Sequence, residues 1–315
     1  MKIVFMGTPN FALPSLRRVL KDGHQIHTLV TRPDRPKGRG RKIAPPPTKE
    51  LAISQGIPVE QPTDLRRHDF YNRLKSLRPE VIVVVAYGKI LPQELLDMPP
   101  YGGVNLHASL LPKYRGACPI NWALINGEQE TGVTTIKMNA EMDAGDILLA
   151  RRVAIGAIET AEELEERLSL VGAELLSETL ARLQDGRLAP RPQDHSQATF
   201  APRLKKEEGR IDWGKGASQI FNAIRGLVPW PGAYSTFRGK TVIFRRGELF
   251  DVPAGEELPV REPGEIVALD KRGIVVQCGD GAYLLIVELQ PESRRRMGAV
   301  DFINGYRVKP GERFG

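Results

Sequence analysis

At 315 residues, with 41% hydrophobic and 26% charged side chains, the chain has the length of two domains and enough apolar material for cores that need no metal or disulfide. Its two cysteines, Cys118 and Cys278, are far apart and lack CxxC spacing; this excludes a disulfide framework and fits a reducing cytoplasm with both thiols as small buried residues. No apolar run reaches the roughly 18 residues of a membrane span, the opening MKIVFMGTPNF is too brief for a signal-peptide core, and a net charge of +7 points to a polyanionic partner.

Lys2 to Met6 reads as a buried strand, followed by a Gly-Thr-Pro turn, a helix from about Phe11 to Lys21, and a second strand from Ile26 to Thr31. Strand, helix, strand at this spacing predicts an α/β unit with a parallel, Rossmann-like sheet. The first turn is GTPNF and not GxGxxG, so a nicotinamide cofactor is poorly supported. Between Arg32 and Lys42 there are six basic residues and one acid, Asp34, a local balance of +5. The surrounding RPDRPKGRGRKIAPPP is rich in Pro and Gly, which predicts a long exposed loop without regular structure. Thr48 to Gln55 reads as a helix, Pro58 to Glu60 as a short strand, and EVIVVVAY (Glu80 to Tyr87) as the central strand of the sheet. Gly103 to His107 and Gly132 to Lys137 are two more strands. Apolar residues at helical spacing predict a long helix from Ala161 to Asp185. The polar, proline-containing stretch that follows marks a linker, giving domains at 1–188 and 206–315 joined by 189–205. Past Ile211 a helix (Ala217 to Arg225) precedes short strands such as TVIFRR, EIVALD, GIVVQC and AYLLIVEL, the pattern of a small β-barrel or sandwich.

Two segments carry chemistry. In Asn105-Leu106-His107, side chains two apart on a strand share a face, so an amide and an imidazole project together from the C-terminal end of a strand, where α/β sheets bind ligands. Such a pair can donate to a developing oxyanion and shuttle a proton. In Met142-Asp143-Ala144-Gly145-Asp146, Asp143 lies on a turn after a strand, at the expected ligand end, and its carboxylate can hold His107 in one orientation; Asp146 suits a turn or cap. No Cys, His and carboxylate cluster has metal-ligand spacing, and His24 and His27 only flank a turn.

HASLLPKYRGACPINWALINGE closely resembles the signature of the folate-dependent formyltransferase family. The resemblance implies a catalytic set of Asn105, His107 and Asp143, and a folate site at Ser109, Leu110, Leu111 and Pro112. VVVAYGKILP implies a loop against the folate ring, with Tyr87, Gly88, Ile90, Leu91 and Pro92. TRPDRPKGRGRK resembles the insertion of the branch that acts on tRNA, implying contacts from Arg35, Lys37, Arg39, Arg41 and Lys42, with Arg39 at the position of its key basic residue. RIDWGKGASQIFNAIRGLVPWPGAY and FINGYRVKPGERFG resemble the same branch, so the likeness covers essentially the whole chain.

The implied donor is 10-formyltetrahydrofolate, the implied acceptor methionyl-initiator tRNA, and no metal is required. The C-terminal barrel is implied to be OB-like and to bind tRNA, with Lys205 and Lys206 as contacts and Arg245, Arg246 and Arg294 to Arg296 as further candidates. Residues 205–315 hold 18 basic against 15 acidic side chains, so much of this charge serves solubility. A monomer is the default expectation. A sugar-nucleotide or purine-precursor acceptor would need neither the basic insertion nor the barrel. A noncatalytic RNA-binding protein would leave Asn105, His107 and Asp143 together without a reason.

Overall fold

The structure, a computed structural model, describes residues 1–37, 42–255 and 257–315, and the side chains of Lys37 and Lys42 also fall outside that description. The chain forms two units. The first comprises Met1–Pro119, Glu130–Ala154 and Glu165–Pro202; the second comprises Ile120–Gln129, Ile155–Leu164 and Arg203–Gly315.

In the first unit β1 (Lys2–Gly7) is followed by a 3-10 turn and α1 (Leu13–Lys21). The α-helix starts later than the periodicity predicts because Pro14, which has no N–H to give, occupies its first turn. Then come β2 (Gln25–Val30), β3 (Arg35–Lys37), β4 (Lys42–Ala44), α2 (Pro47–Ser54), β5 (Val59–Glu60), α3 (His68–Ser76), β6 (Val81–Val85), α4 (Gln93–Leu96), β7 (Gly103–His107) and β8 (Arg115–Gly116), after which α5 (Pro119–Ile125) falls in the second unit from Ile120 on. The antiparallel pair β9 (Glu130–Lys137) and β10 (Ile147–Ala154) precedes the long α6 (Ala161–Gln184), and β11 (Phe200–Ala201) pairs with β8.

The sheet order is β10-β9-β7-β6-β1-β2-β5. Pairings from β5 to β7 are parallel, and β9 and β10 add an antiparallel margin. Strand order reverses between β1 and β6, so the crevice outside their C-terminal ends is the switch point of the sheet. β6 is buried at every position, which is why its sequence is a continuous β-branched run. The outer strand β10 alternates instead, and its Arg151 pairs with Glu174 and Glu178 of α6, which blunts the sheet edge with charge.

On either side of residues 38–41, which lie outside the described residues, the basic segment forms a two-stranded antiparallel ribbon where the sequence predicts no regular structure. Arg35, Pro36 and Lys37 pair antiparallel with Ala44, Ile43 and Lys42. Proline is tolerated because a two-stranded ribbon leaves one N–H edge of each strand free. The base of this ribbon is clamped. Lys49 Nζ donates to both Asp34 oxygens at 2.9 and 2.8 Å and to Gln61 Oε1 at 2.8 Å, while Gln61 Nε2 donates to Asp34 Oδ1 and Arg32 O, each at 2.7 Å.

Those donors hold the Asp34 carboxyl below its usual range, the Lys49 hydrogen bond contributing most. A depressed folded-state pKa gives stability that is complete above the ordinary carboxylate value of about 4 and is lost as pH falls through the folded value. Asp34→Asn should therefore melt lower than the parent at pH 7, and the two melting temperatures should converge in strong acid. Parallel melting curves across that range would refute the clamp.

The second unit is built on an antiparallel sheet: β12 (Ala233–Phe237), β13 (Lys240–Phe250), β16 (Tyr283–Pro291), β15 (Gly273–Gln277) and β14 (Ile266–Asp270) in that order, with β17 (Met297–Gly298) beside β16. It also holds α7 (Ala217–Gly226) and α8 (Ala299–Tyr306). Its core is aromatic. Trp213 meets Phe244 edge-on at 5.6 Å and stacks on Phe314 at 6.0 Å, and Phe237 packs between Phe302 and Phe314 at 5.4 Å from each. This is where FINGYRVKPGERFG goes: its two phenylalanines, Phe302 and Phe314, are fully buried. Of the cysteines, Cys278 is buried and its thiol is pushed up to about 12 by desolvation, whereas Cys118 is half-buried. Among the described residues no helix is long and apolar enough to cross a membrane.

Candidate active site

β7 delivers the first two residues. Its alternation puts Asn105 and His107 on one face of the sheet, where both are buried. Val85 of β6 stands opposite Leu106, so the loop after β6 leaves the sheet beside His107.

Asp143 arrives by a different route from the one the sequence suggests. β9 runs antiparallel to β7, Lys137 lies opposite Val104, and the turn 138–146 leaves the sheet at the start of β7 and not at its C-terminal end. The turn folds back over the sheet face and carries Asp143 onto the two β7 side chains. Asn105 Nδ2 donates to Asp143 Oδ1 at 3.4 Å, and His107 Nδ1 stands 3.6 Å from the same oxygen. The second carboxylate oxygen accepts from Gly116 N at 2.8 Å.

His107 Nε2 lies 2.9 Å from the carbonyl oxygen of Tyr114. A carbonyl can only accept, so Nε2 carries the hydrogen and Nδ1 is the nitrogen turned to Asp143. A main-chain carbonyl thus fixes the ring together with Asp143, and Nδ1 is left facing the carboxylate. Left-handed backbone gathers here: Ala86 (φ 49°), Gly88 (79°), Tyr114 (61°) and Asp143 (53°). Aspartate visits that region at lower cost than most residues because its short polar side chain bonds locally. Gly116 has φ 125°, and a Cβ there would lie 2.6 Å from Ala201 O, so only glycine lets β8 approach β11 and keep its N–H on Asp143.

The segment after His107 is pinned by Thr134 of β9, whose hydroxyl donates to Ser109 O at 2.7 Å and accepts from Leu111 N at 3.2 Å. Ser109 is fully buried and its own hydroxyl donates to Lys113 O, Leu111 is buried, and Leu110 and Pro112 are half-buried. In the neighbouring loop the Tyr87 side chain turns into the hydrophobic core with Leu91, and desolvation pushes its phenol up to about 12. Gly88 is exposed and its carbonyl accepts from Arg32, Pro92 is half-buried, and Ile90 is 72% exposed, the prominent apolar side chain of this loop.

Of the basic candidates, Arg35 is exposed on β3, while Arg39, Arg41 and the side chains of Lys37 and Lys42 lie outside the described residues. In the second unit Lys205 and Lys206 are exposed. Arg245 is tied to Pro229 O and Gln290, Arg246 to Glu163 and Arg296 to Glu288, so much of that charge is engaged within the unit. Sequence reasoning missed three residues that build the site: Thr134, Arg115 and Gln193. The last two are buried polar groups inside the stretches read as signature and linker. No group of His, Cys, Asp and Glu able to hold a metal occurs among the described residues.

Comparison with known proteins gives consistent matches. Residues 1–180 match the formyl transferase family model, and residues 203–307 match the model of the formyl transferase C-terminal domain. A methionyl-tRNA formyltransferase of Geobacter metallireducens is 51% identical over 100% of this chain and 99% of its own, and one from Acetivibrio thermocellus is 48% identical over 100% of both. Among solved structures, an N-formyltransferase from Helicobacter canadensis, in complex with folinic acid and dTDP-3-aminofucose, superposes with a TM-score of 0.68 at 17% identity, covering 92% of this chain and 99% of that one, a likeness of fold.

Proposed function

This chain belongs to the formyl transferase family, and we propose that it moves the formyl group of 10-formyltetrahydrofolate to the α-amino group of methionyl-initiator tRNA, as a cytoplasmic monomer. The observation that carries the chemistry is the convergence of Asn105, His107 and Asp143 on one buried face. The acceptor rests on relatives named methionyl-tRNA formyltransferase that match this chain from end to end at about half identity.

In this reading the neutral amine forms a bond to the formyl carbon, and the carbonyl electrons move to its oxygen. Asn105 Nδ2 and a proton on His107 Nδ1 donate to that oxyanion in a site with little competing water. Asp143 faces the same nitrogen and passes to it the proton that the amine loses. When the carbon–nitrogen bond to the folate breaks, the departing nitrogen takes a proton from this network. Ser109 to Pro112 and Tyr87 to Pro92 flank the strand ends and hold the folate, largely through main chain where their side chains are buried. The basic segment, with Arg35, Lys37, Arg39, Arg41 and Lys42, and an OB-like second unit bearing Lys205 and Lys206 position the tRNA by its phosphates.

The test is transfer of labelled formyl from 10-formyltetrahydrofolate to charged initiator tRNA. Label should appear on the tRNA, with KM for tRNA rising steeply with salt and with Arg39→Ala while KM for the folate stays nearly constant. Consumption of the donor with unlabelled tRNA would mean that the acceptor is another amine. A protein that neither binds folate nor transfers formyl would overturn the reading.

A further inference from the structure

We propose that Gln193, braced by Arg115, is a positioning residue that sets the turn carrying Asp143; the proposal rests on the catalytic reading of that aspartate. Gln193 is 5% exposed, and its amide is saturated. Its Nε2 donates to Asp143 O at 2.8 Å and to Gly145 O at 2.7 Å, and its Oε1 accepts from Arg115 Nε at 3.2 Å and Nη2 at 2.7 Å. Arg115 is itself 6% exposed, and its only other side-chain partner among the described residues is His195, whose Nδ1 lies 3.3 Å from Nη2. A buried guanidinium facing neutral partners is expensive to keep unless it organises something.

What it organises is visible from the chain order. Arg115 precedes Gly116, whose N–H holds Asp143 Oδ2. The two-residue strand β8 therefore grips Asp143 twice: at the carboxylate through Gly116, and at the main chain through Arg115 and Gln193. Gln193 is held in turn on both sides. Arg191 exchanges backbone hydrogen bonds with Ile147 at the start of β10, at 2.8 and 2.9 Å, and Phe200–Ala201 pairs with β8. The segment following α6 is thus a strap across the base of the 138–146 turn, and Gln193 is the contact through which it presents a residue in left-handed backbone to Asn105 and His107.

The chemistry discriminates between replacements. Gln193→Leu removes every polar contact. Gln193→Glu keeps the acceptor for Arg115 but loses both donors and sets a carboxylate against two carbonyls.

The experiment measures kcat and KM in the full-length protein, with 10-formyltetrahydrofolate and methionyl-initiator tRNA, for both variants, Asp143→Asn and the Gln193→Leu/Asp143→Asn double. Displacement of a reacting group by a fraction of an ångström to an ångström lowers turnover by up to about 100-fold, so both Gln193 variants should lose about 10- to 100-fold in kcat. KM for each substrate should stay within about threefold, because binding groups are untouched. The double variant should turn over no more slowly than Asp143→Asn alone, since Gln193 acts only through that residue. Should Gln193→Leu fail to fold, Gln193→Glu with its Arg115 contact retained decides the same question. Wild-type kcat in Gln193→Glu, or losses that multiply in the double variant, would overturn the proposal. If Asp143→Asn itself retains full turnover, the catalytic reading fails and the proposal with it. If Asp143→Asn is inactive while both Gln193 variants are normal, only the present inference fails.

Discussion

Alanine at His107 or at Asn105 should lower kcat for formyl transfer by about 100- to 1000-fold, the usual loss when one oxyanion donor is removed from a water-poor site. KM should change little, because neither side chain is assigned to hold the substrates before reaction. The two losses should not multiply, since both donors meet the same Asp143 oxygen and serve one developing charge. Some stability will be lost as well. His107→Ala removes the Nε2 hydrogen bond to the Tyr114 carbonyl, at about 0.5–1.5 kcal/mol. Measuring turnover well below the melting transition separates the two effects. Variants that fold and retain kcat to within about fivefold would remove these residues from the mechanism.

Gly145→Ala is the second large expected loss, for a reason of space and not of chemistry. A Cβ at Gly145 would sit 1.9 Å from Lys137 O and 2.9 Å from Lys137 C. Neither atom can retreat, because Lys137 is the last residue of β9 and its N–H already bonds Asp146 O at 2.9 Å. The turn must move, and Asp143 is two residues away. We expect kcat to fall by about 100-fold, as for other misplacements of about an ångström, with an overpacking cost of about 1–3 kcal/mol. Gly186→Ala is the control: it has positive φ but open space around its Cβ position, so it should lose some stability and keep kcat. Equal turnover in the two variants would show that the 138–146 turn need not be held.

Elements whose burial follows from local pattern were legible before the fold was known. β7 spans the residues that the sequence marks, and α6 ends one residue short of the expected Asp185. β7 is buried at every position between its neighbours, and α6 keeps a helical apolar spacing along its length. The pairing of Arg35–Lys37 with Lys42–Ala44 was hidden because Pro and Gly argue for a loop, and it is decided by partners across the ribbon and by the Lys49 clamp. α3 was missed because its apolar face rests on few residues, Phe70 and Leu74 being the buried pair. β10 was missed because two arginines interrupt its alternation, and those arginines find carboxylates outside the strand.

The sequence by itself determined which chemistry could be present: an amide and an imidazole two apart on a strand, an aspartate on a glycine turn, a basic insertion, and signatures along the whole length that mark the family. Side-chain alternation and motif identity are local properties, so they survive without a structure. Only the tertiary structure decided how the set is assembled. The antiparallel β9 sends its turn out at the opposite end of the sheet, Tyr114 O claims Nε2 of His107, and Gln193 reaches carbonyls 50 and 48 residues back along the chain. Those side-chain bonds end on main-chain carbonyls, which every residue carries alike, so no residue type announces where they fall. They exist because buried backbone carbonyls require donors, and the fold alone determines which donor is near.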